Sequence, residues 1–403
     1  MNKLYVKKFG GTSVGSLERI EAVADAIAKA HFNGEQQVLV LSAMAGETNR
    51  LFALAAEVDP KAHPRELDML VSTGEQVSIA LMTMALSKRG VKARSLCGGQ
   101  VKILTNSQFG RAAIDKVETE YLKALLDSGV LPVVAGFQGV DPQGDITTLG
   151  RGGSDTTAVA IAAALKADEC QIFTDVCGVY TTDPNLEPSA QKLDEISFEA
   201  MYEMAKLGAK VLHPDSVACA ERYRVPLRVL SSFEHGSGTL IRFDGTDMAE
   251  AGIVGIAVSK GLGLVSLSEV AKNTEIEKAL FQCLLNGGVE TDLVVKLDAA
   301  DGLGLTLPVN AMEQCLRLLD ELGSQHSLGT VSYETGLAKV SLVSNGELAL
   351  TDVASRVFEI LAGVGIQVKL LSTSEIKLSV VIAEEKLQHA VRALHHAFAL
   401  NKV

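Results

Sequence analysis

The sequence predicts an α/β chain: a large N-terminal domain built on a mainly parallel sheet, followed by two ferredoxin-like α+β modules. Three observations carry that reading. Short apolar runs alternate with helical patterns from residue 4 to 243. Loops rich in glycine and hydroxyl residues follow several of those runs. Beyond residue 253 the elements shorten, and a β-α-β-β-α order occurs twice at a period of roughly 75 residues.

Leu4-Tyr5-Val6-Lys7-Lys8-Phe9 reads as a strand that passes through Gly10-Gly11-Thr12-Ser13-Val14-Gly15 into a helix over 16–30. Strand, glycine loop and helix is the arrangement in which backbone amides cradle phosphate. No GKS or GKT follows, so this is not a Walker loop. Lys8 sits at the C-terminal end of the strand, where ligands gather in open α/β sheets. Taken alone, such a lysine is more often a solvated surface charge. Val38-Leu39-Val40-Leu41 is a continuous apolar strand of the kind buried on both faces. The loop Ser42-Ala43-Met44-Ala45-Gly46-Glu47-Thr48-Asn49 follows, then helices over 50–57 and 65–89. The second carries Ser72-Thr73-Gly74-Glu75. On the buried side Glu75 would hold a substrate ammonium group; on the other it is an ordinary surface carboxylate.

A strand over 131–137 precedes Asp141-Pro142-Gln143-Gly144-Asp145, a turn by composition and the tip of a hairpin. The chain then reaches Gly150-Arg151-Gly152-Gly153-Ser154-Asp155-Thr156-Thr157, which opens an alanine-rich helix over 158–167. Ser154 or Asp155 can cap that helix. Its N-terminus offers N–H groups and partial positive charge to an anion. Arg151 adds a fork suited to carboxylate or phosphate, and Asp155 can bind a metal or accept a proton. Anion site, cation and carboxylate within eight residues suit phosphate transfer to an acidic acceptor. A tight turn before a buried helix explains the octapeptide equally well. A strand over 171–174 ends in Asp175-Val176-Cys177-Gly178-Val179-Tyr180-Thr181-Thr182-Asp183-Pro184, placed for a nucleotide ribose or base. After a helix over 199–207, Lys210 is a second candidate cation for a polyphosphate. A strand over 227–230 is the last of this domain, and 243–247 reads as a linker.

In the C-terminal part, strands over 253–259 and 264–268, a helix over 274–286, strands over 291–297 and 304–308 and a helix over 311–322 form the first module. Elements over 338–344, 352–364, 367–371, 378–382 and 384–398 repeat the rhythm. Such modules can pair their sheets edge to edge, creating small-ligand sites and oligomers.

Composition limits the partners. Hydrophobic residues are 47%, charged residues 21% and aromatics 4%, with no tryptophan and a net charge of −12. A soluble globular protein fits; nucleic acid or an anionic membrane as main partner does not. The six cysteines form no CxxC pair, so free thiols in a reducing cytosol are expected. No apolar run approaches the roughly 20 residues that span a bilayer, and the first nine residues lack an apolar signal core. The chain reads as cytoplasmic.

Taken together, Lys8-Phe9-Gly10-Gly11-Thr12-Ser13, Ser42-Ala43-Met44, Ser72 to Glu75, Gly136-Phe137 and Gly150 to Thr157 resemble the aspartokinases of the amino-acid kinase superfamily. Phe173-Thr174-Asp175, Gly178-Val179-Tyr180, Asp183-Pro184 and Gly208-Ala209-Lys210-Val211-Leu212-His213-Pro214 continue the match in the family's order. Ala338 to Val343, Ser372 to Lys377 and Val391 to His395 are similar to the family's second ACT module. The resemblance implies an amino-acid-kinase-like α/β sandwich over 1–246 and ACT-like modules over 253–335 and 336–403. It implies phosphorylation of the β-carboxylate of L-aspartate by ATP with Mg2+, as the first step toward lysine, threonine and methionine. Lys8 and Asp155 would be catalytic. Ser42, Thr48, Glu75, Arg151 and Ser154 would bind the amino acid. Lys8, Phe9, Gly10, Gly11, Thr174, Asp175, Tyr180, Asp183, Lys210 and Val211 would bind ATP. No dedicated metal ligands are expected. Lysine or threonine would act at the ACT modules, and a homodimer or higher homo-oligomer is expected.

The chain departs from the family pattern in places. Cys177 stands where many members have aspartate, and Asn185 where many have an arginine after Asp-Pro, which would shift phosphate binding toward Lys210. Ser268 to Thr274 and Leu350 to Val353 lack the usual Pro-Gly loops, and Lys296 replaces a common glutamine. Feedback inhibition is therefore expected to be weakened or altered. Two other readings compete: a kinase of another amino acid or a nucleoside monophosphate, which the paired modules and Ser72 to Glu75 disfavour, and a non-catalytic sensor, which would not need Lys8, Arg151 and Asp155.

Overall fold

The computed structural model describes residues 3–209, 211–243, 252–268, 270, 274–297, 302–324, 326, 328–347 and 349–402. Lys210 and most of the 243–247 linker lie outside the described residues. The chain divides into two compact units. The first comprises Met1–Val179, Lys192–Lys206 and Lys210–Met248; the second comprises Tyr180–Gln191, Leu207–Ala209 and Ala249–Val403.

Among its described residues, the first unit carries an eight-stranded sheet. The order is Glu195–Ser197, Thr239–Arg242, Leu227–Ser231, Glu169–Thr174, Leu4–Phe9, Gln36–Leu41, Leu131–Ala135 and Ala93–Leu96. Neighbours run parallel except Leu227–Ser231 against Thr239–Arg242. The central strands are apolar throughout because helices cover both faces: 37–41 and all of Leu131–Ala135 are buried. On one face, helix Leu17–Phe32 contributes Ile20, Val23, Ala24, Ile27 and Ala28, a stripe at helical spacing. It meets Ile79, Met82, Ala85 and Leu86 of helix Thr73–Lys88 in one core. Ser16 caps the first helix by accepting from the Arg19 amide at 3.3 Å. On the other face, helix Gly153–Leu165 buries Ala158, Val159, Ile161 and Ala162.

Two expectations for this unit change. The helix expected over 65–89 is interrupted at Ser72, giving Pro64–Val71 and Thr73–Lys88. The hydroxyls of Ser72 and Thr73 donate back to the carbonyls of Met69 and Leu70 at 3.0 and 2.7 Å, competing with the helix ladder. Against the expectation that no apolar run approaches spanning length, the combined 25-residue stretch Pro64–Lys88 is long and apolar enough to cross a membrane by length and composition. Half of its apolar window is buried inside the protein, as in a core helix.

A smaller sheet runs in the order Ile114–Val117, Ile103–Thr105, Gln138–Val140, Ile146–Thr148. Its last two strands are the hairpin expected around 141–145. Asp68, buried, fixes this sheet to helix Pro64–Val71. Its carboxylate accepts from the amides of Gly110 and Thr148 at 2.9 and 2.8 Å and from the Thr148 hydroxyl at 2.7 Å. None of the six cysteines is in a disulfide.

The second unit is an antiparallel six-stranded sheet among its described residues. The order is Leu293–Leu297, Gly302–Pro308, Ile253–Leu267, Val331–Ser344, Lys377–Ala383, Leu370–Ser374. The strands expected over 253–259 and 264–268 are one long strand, with register shifts between Ser259 and Leu264. Its partner begins at Val331 rather than 338. The long strand Ile253–Leu267 serves two cores. Val265 and Leu267 pack with helices Thr274–Asn286 and Val309–Gly323. Ile256 packs instead with Val340, Leu342 and helices Leu350–Gly363 and Leu387–Ala397. The β-α-β-β-α order thus occurs twice, and the two arrays share a continuous sheet.

Removing the Asp68 carboxylate should leave both buried donors of Thr148, and the Gly110 amide, without their acceptor. Asp68→Ala is expected to destabilise the first unit by about 3 kcal/mol, read as a lower urea midpoint for that unit.

Candidate active site

A cleft of about 350 Å3 opens where the strands Leu4–Phe9 and Gln36–Leu41 end. Side chains alternate along a strand, so the two lysines of the first strand diverge. Lys7 pairs with Glu35 at 2.8 Å, whereas Lys8 turns into the cleft and pairs with Asp155 Oδ1 at 2.6 Å. Both Lys8 and Asp155 side chains are only 12% exposed. A full positive and a full negative charge therefore face one another in a largely water-excluded wall.

Asp155 reaches that position because its helix begins earlier than expected. The helix is Gly153–Leu165, not 158–167, and Ser154 and Asp155 lie in its first turn instead of capping it. The N-cap is Gly152, at φ +70° and with no side-chain cap. Glycine is required there twice over. The conformation is left-handed, and a Cβ would come within 2.3 and 2.4 Å of His213 Cβ and Cγ. His213 in turn caps helix Pro214–Arg222.

The opposite wall is the loop 42–46 with Thr48, backed by Glu75 of helix Thr73–Lys88. Glu75 is 3% exposed. Its Oε1 accepts the Ala43 amide at 3.1 Å, and its Oε2 is buried without a hydrogen-bond partner. Burial pushes the Glu75 carboxyl up to about 7, against the pull of the Ala43 and Glu75 amides. A buried carboxylate oxygen lacking a donor is costly, and a cationic donor entering the cleft would satisfy it.

Seven of the residues given a catalytic or binding role from sequence line this cleft: Lys8, Gly11, Ser42, Thr48, Glu75, Ser154 and Asp155. The others do not. Arg151 is exposed and is not among the lining residues. The Phe9 side chain is in the core, stacked on Phe173 with ring centroids 4.5 Å apart. The Gly10 amide donates to the Phe173 carbonyl at 3.2 Å, so it is engaged within the fold. Thr174 ends strand Glu169–Thr174 and donates to Asp175 at 3.1 Å, outside the cleft lining. Val211 is half-buried, also outside it. Tyr180 and Asp183 belong to the second unit, where the Asn185 amide and side chain both donate to Asp183 Oδ1 at 2.9 Å. Lys210 lies outside the described residues.

Two features of the site escaped the sequence reading. One is the Ala43 amide, which orients Glu75; a backbone group carries no sequence signal. The other is the role of Phe137, part of the family resemblance but given no place in the site, which walls the cleft at φ +68°. Left-handed backbone is rare for a bulky residue, and only the preceding Gly136 hints at a tight bend.

Glu75 binds its proton more tightly when folded. Its ionisation opposes folding as pH rises from its ordinary value of 4.5 to about 7, and the penalty is complete above that. Glu75→Gln should therefore match the parent below the lower bound and exceed its stability above the upper one by about 3 kcal/mol in the unliganded protein, measured by urea unfolding across pH.

The amino acid kinase family model matches residues 3–231, and an ACT domain model matches residues 340–398. The chain is 50% identical over 402 residues to an aspartate kinase of Pseudomonas putida, covering 99% of this chain and 98% of that one. The crystal structure of E. coli aspartokinase III in complex with aspartate and ADP superposes with a TM-score of 0.80 at 29% identity, over 98% of this chain and 100% of that chain. The same enzyme with lysine and aspartate gives a TM-score of 0.81 at 29% identity, over 98% and 99%. A match this complete, spanning both units, means that the chain belongs to the amino acid kinase family and, within it, to the aspartokinases.

Proposed function

We propose that the chain transfers the γ-phosphoryl group of ATP to the β-carboxylate of L-aspartate, giving 4-phospho-L-aspartate, the first step of lysine, threonine and methionine biosynthesis. The observation that carries this is the wall opposite Lys8: a buried carboxylate oxygen of Glu75 without a partner, matched to an amino acid's ammonium group. The P. putida relative and the aspartate- and ADP-bound E. coli structure support the reading.

In this reading a carboxylate is already a nucleophile and needs no strong base. The barrier is the approach of two anions, which a fixed cation and oriented amides offset. Lys8 grips the transferring phosphate, and Gly11 lets the backbone approach it. Asp155 holds Lys8 in place. Thr48, Ser42 and Glu75 hold the amino-acid head group, with Ser154 at the helix N-terminus beside the acceptor. Arg151, exposed on the octapeptide loop, is free to reach a substrate carboxylate. Thr174, Asp175, Tyr180, Asp183, Lys210 and Val211 remain the proposed nucleotide residues. Mg2+ enters with the ATP phosphates, and Asp155 is the carboxylate of the cleft able to join its shell.

The proposed domains are a catalytic domain over 1–246 and ACT-like modules over 253–335 and 336–403. The first half of strand Ile253–Leu267, packed with the second module's core, crosses that order. An amino-acid effector such as lysine or threonine would bind the ACT modules, a homodimer would form through them, and the enzyme would work in the cytoplasm. The lysine-bound E. coli structure supports the effector.

Two outcomes test this. In a hydroxamate assay with aspartate and MgATP, Lys8→Met should lose on the order of 3–4 kcal/mol of transition-state stabilisation, the scale of one preorganised donor, while retaining the parent's circular dichroism. Near-parental turnover rejects the assignment. In the same assay, lysine plus threonine should inhibit weakly, because Lys296, in place of the glutamine that the family resemblance leads one to expect, is paired with Glu277 at 2.9 Å. Concerted inhibition at sub-millimolar levels would show the effector site intact.

A further inference from the structure

We propose that Thr157 is a positioning residue for the acceptor side of the cleft, acting through Phe137. The inference rests on the aspartate kinase reading above and goes beyond it, because Thr157 does not line the cleft. It is fully buried, one turn into helix Gly153–Leu165. Its hydroxyl donates to the Gly153 carbonyl at 2.8 Å, which orients the oxygen's lone pairs away from the helix. That oxygen accepts the Phe137 amide at 3.1 Å.

Phe137 needs such a holder. At φ +68° it occupies a backbone region that bulky residues avoid, and strain of this kind persists only when neighbours over-determine it. Its amide is held by Thr157, and its carbonyl accepts the Leu149 amide at 3.0 Å. The ring lies against the helix start: a Cβ on Gly153 would be 2.9 Å from Phe137 Cδ2. One residue thus ties the end of strand Leu131–Ala135 to the loop entering Gly150 and to the turn bearing Ser154 and Asp155. Without the hydroxyl, Phe137 has no acceptor for its amide and no reason to stay left-handed, and the wall of the cleft next to Ser154 relaxes. Lys8 and the strand ends on the far side of Asp155 keep their own contacts. The effect should therefore fall on the amino acid and not on the nucleotide.

The test measures ADP release by the full chain with aspartate and MgATP, each varied separately. Thr157→Val keeps shape and removes the acceptor; Thr157→Ser keeps the acceptor. Thr157→Val should raise KM for aspartate about tenfold, the scale of leaving one N–H unpaired, with KM for ATP unchanged and only a modest fall in melting temperature. Thr157→Ser should restore the parental KM. Parental kinetics in Thr157→Val overturn the proposal. So does a uniform loss of both KM values together with thermal stability, which would mark a purely structural hydroxyl. If the valine variant does not fold, Thr157→Ala takes its place with the same expected split. Absence of aspartate-dependent ADP release in the parent would instead reject the underlying reading.

Discussion

The Lys8–Asp155 pair is the constraint around which the first unit is arranged. Two charges largely withdrawn from water are tolerable only when each faces the other. That requires the second lysine of the first strand to meet the first turn of a helix well over a hundred residues later in the chain. The parallel sheet makes this possible. It ends several strands along one edge, and the helix that crosses the sheet can begin there. Gly152 and His213 fix the helix start, and the alanine-rich face that follows lets the helix lie close to the strands. A pair of this kind adds little to stability, since the cost of desolvation offsets most of the attraction. Its value in the proposed reaction is that the cation is oriented before substrate arrives, so no reorganisation is needed as charge develops.

Glu75 complements that pair from the other side. It is buried, half-satisfied by one backbone amide, and more basic than an ordinary carboxylate. A site holding one ion pair and one incompletely satisfied carboxylate is already biased toward a ligand with both a negative and a positive end. An amino acid has both.

Much of this was legible in the sequence, for identifiable reasons. Continuous apolar runs such as 38–41 mark strands covered on both faces, and Lys8 followed by paired glycines marks a strand end. Glu75 could not be assigned to the buried side from periodicity alone, because helix Thr73–Lys88 is apolar nearly all round. The helix start at Gly153 was missed because Ser and Asp are strong caps by propensity, whereas here the turn is set by Gly152 packing on His213. The engagement of the Gly10 amide with Phe173 and the left-handed Phe137 are tertiary in origin and leave no local trace. In the second unit the helices were found, but the long strand Ile253–Leu267 was read as two because Lys260 and Gly261 suggest a break. The structure carries the strand through with a shift of register.

That shared strand bears on how the second unit can be altered. Its two halves belong to different cores, and Val331–Ser344 pairs with both of them along one ladder. Neither array is therefore a separable cassette: no single cut in the gene would release one intact fold and leave the other. Exchange of regulatory parts between such kinases would have to move the unit whole, and specificity would evolve by point changes within it instead of by swapping halves.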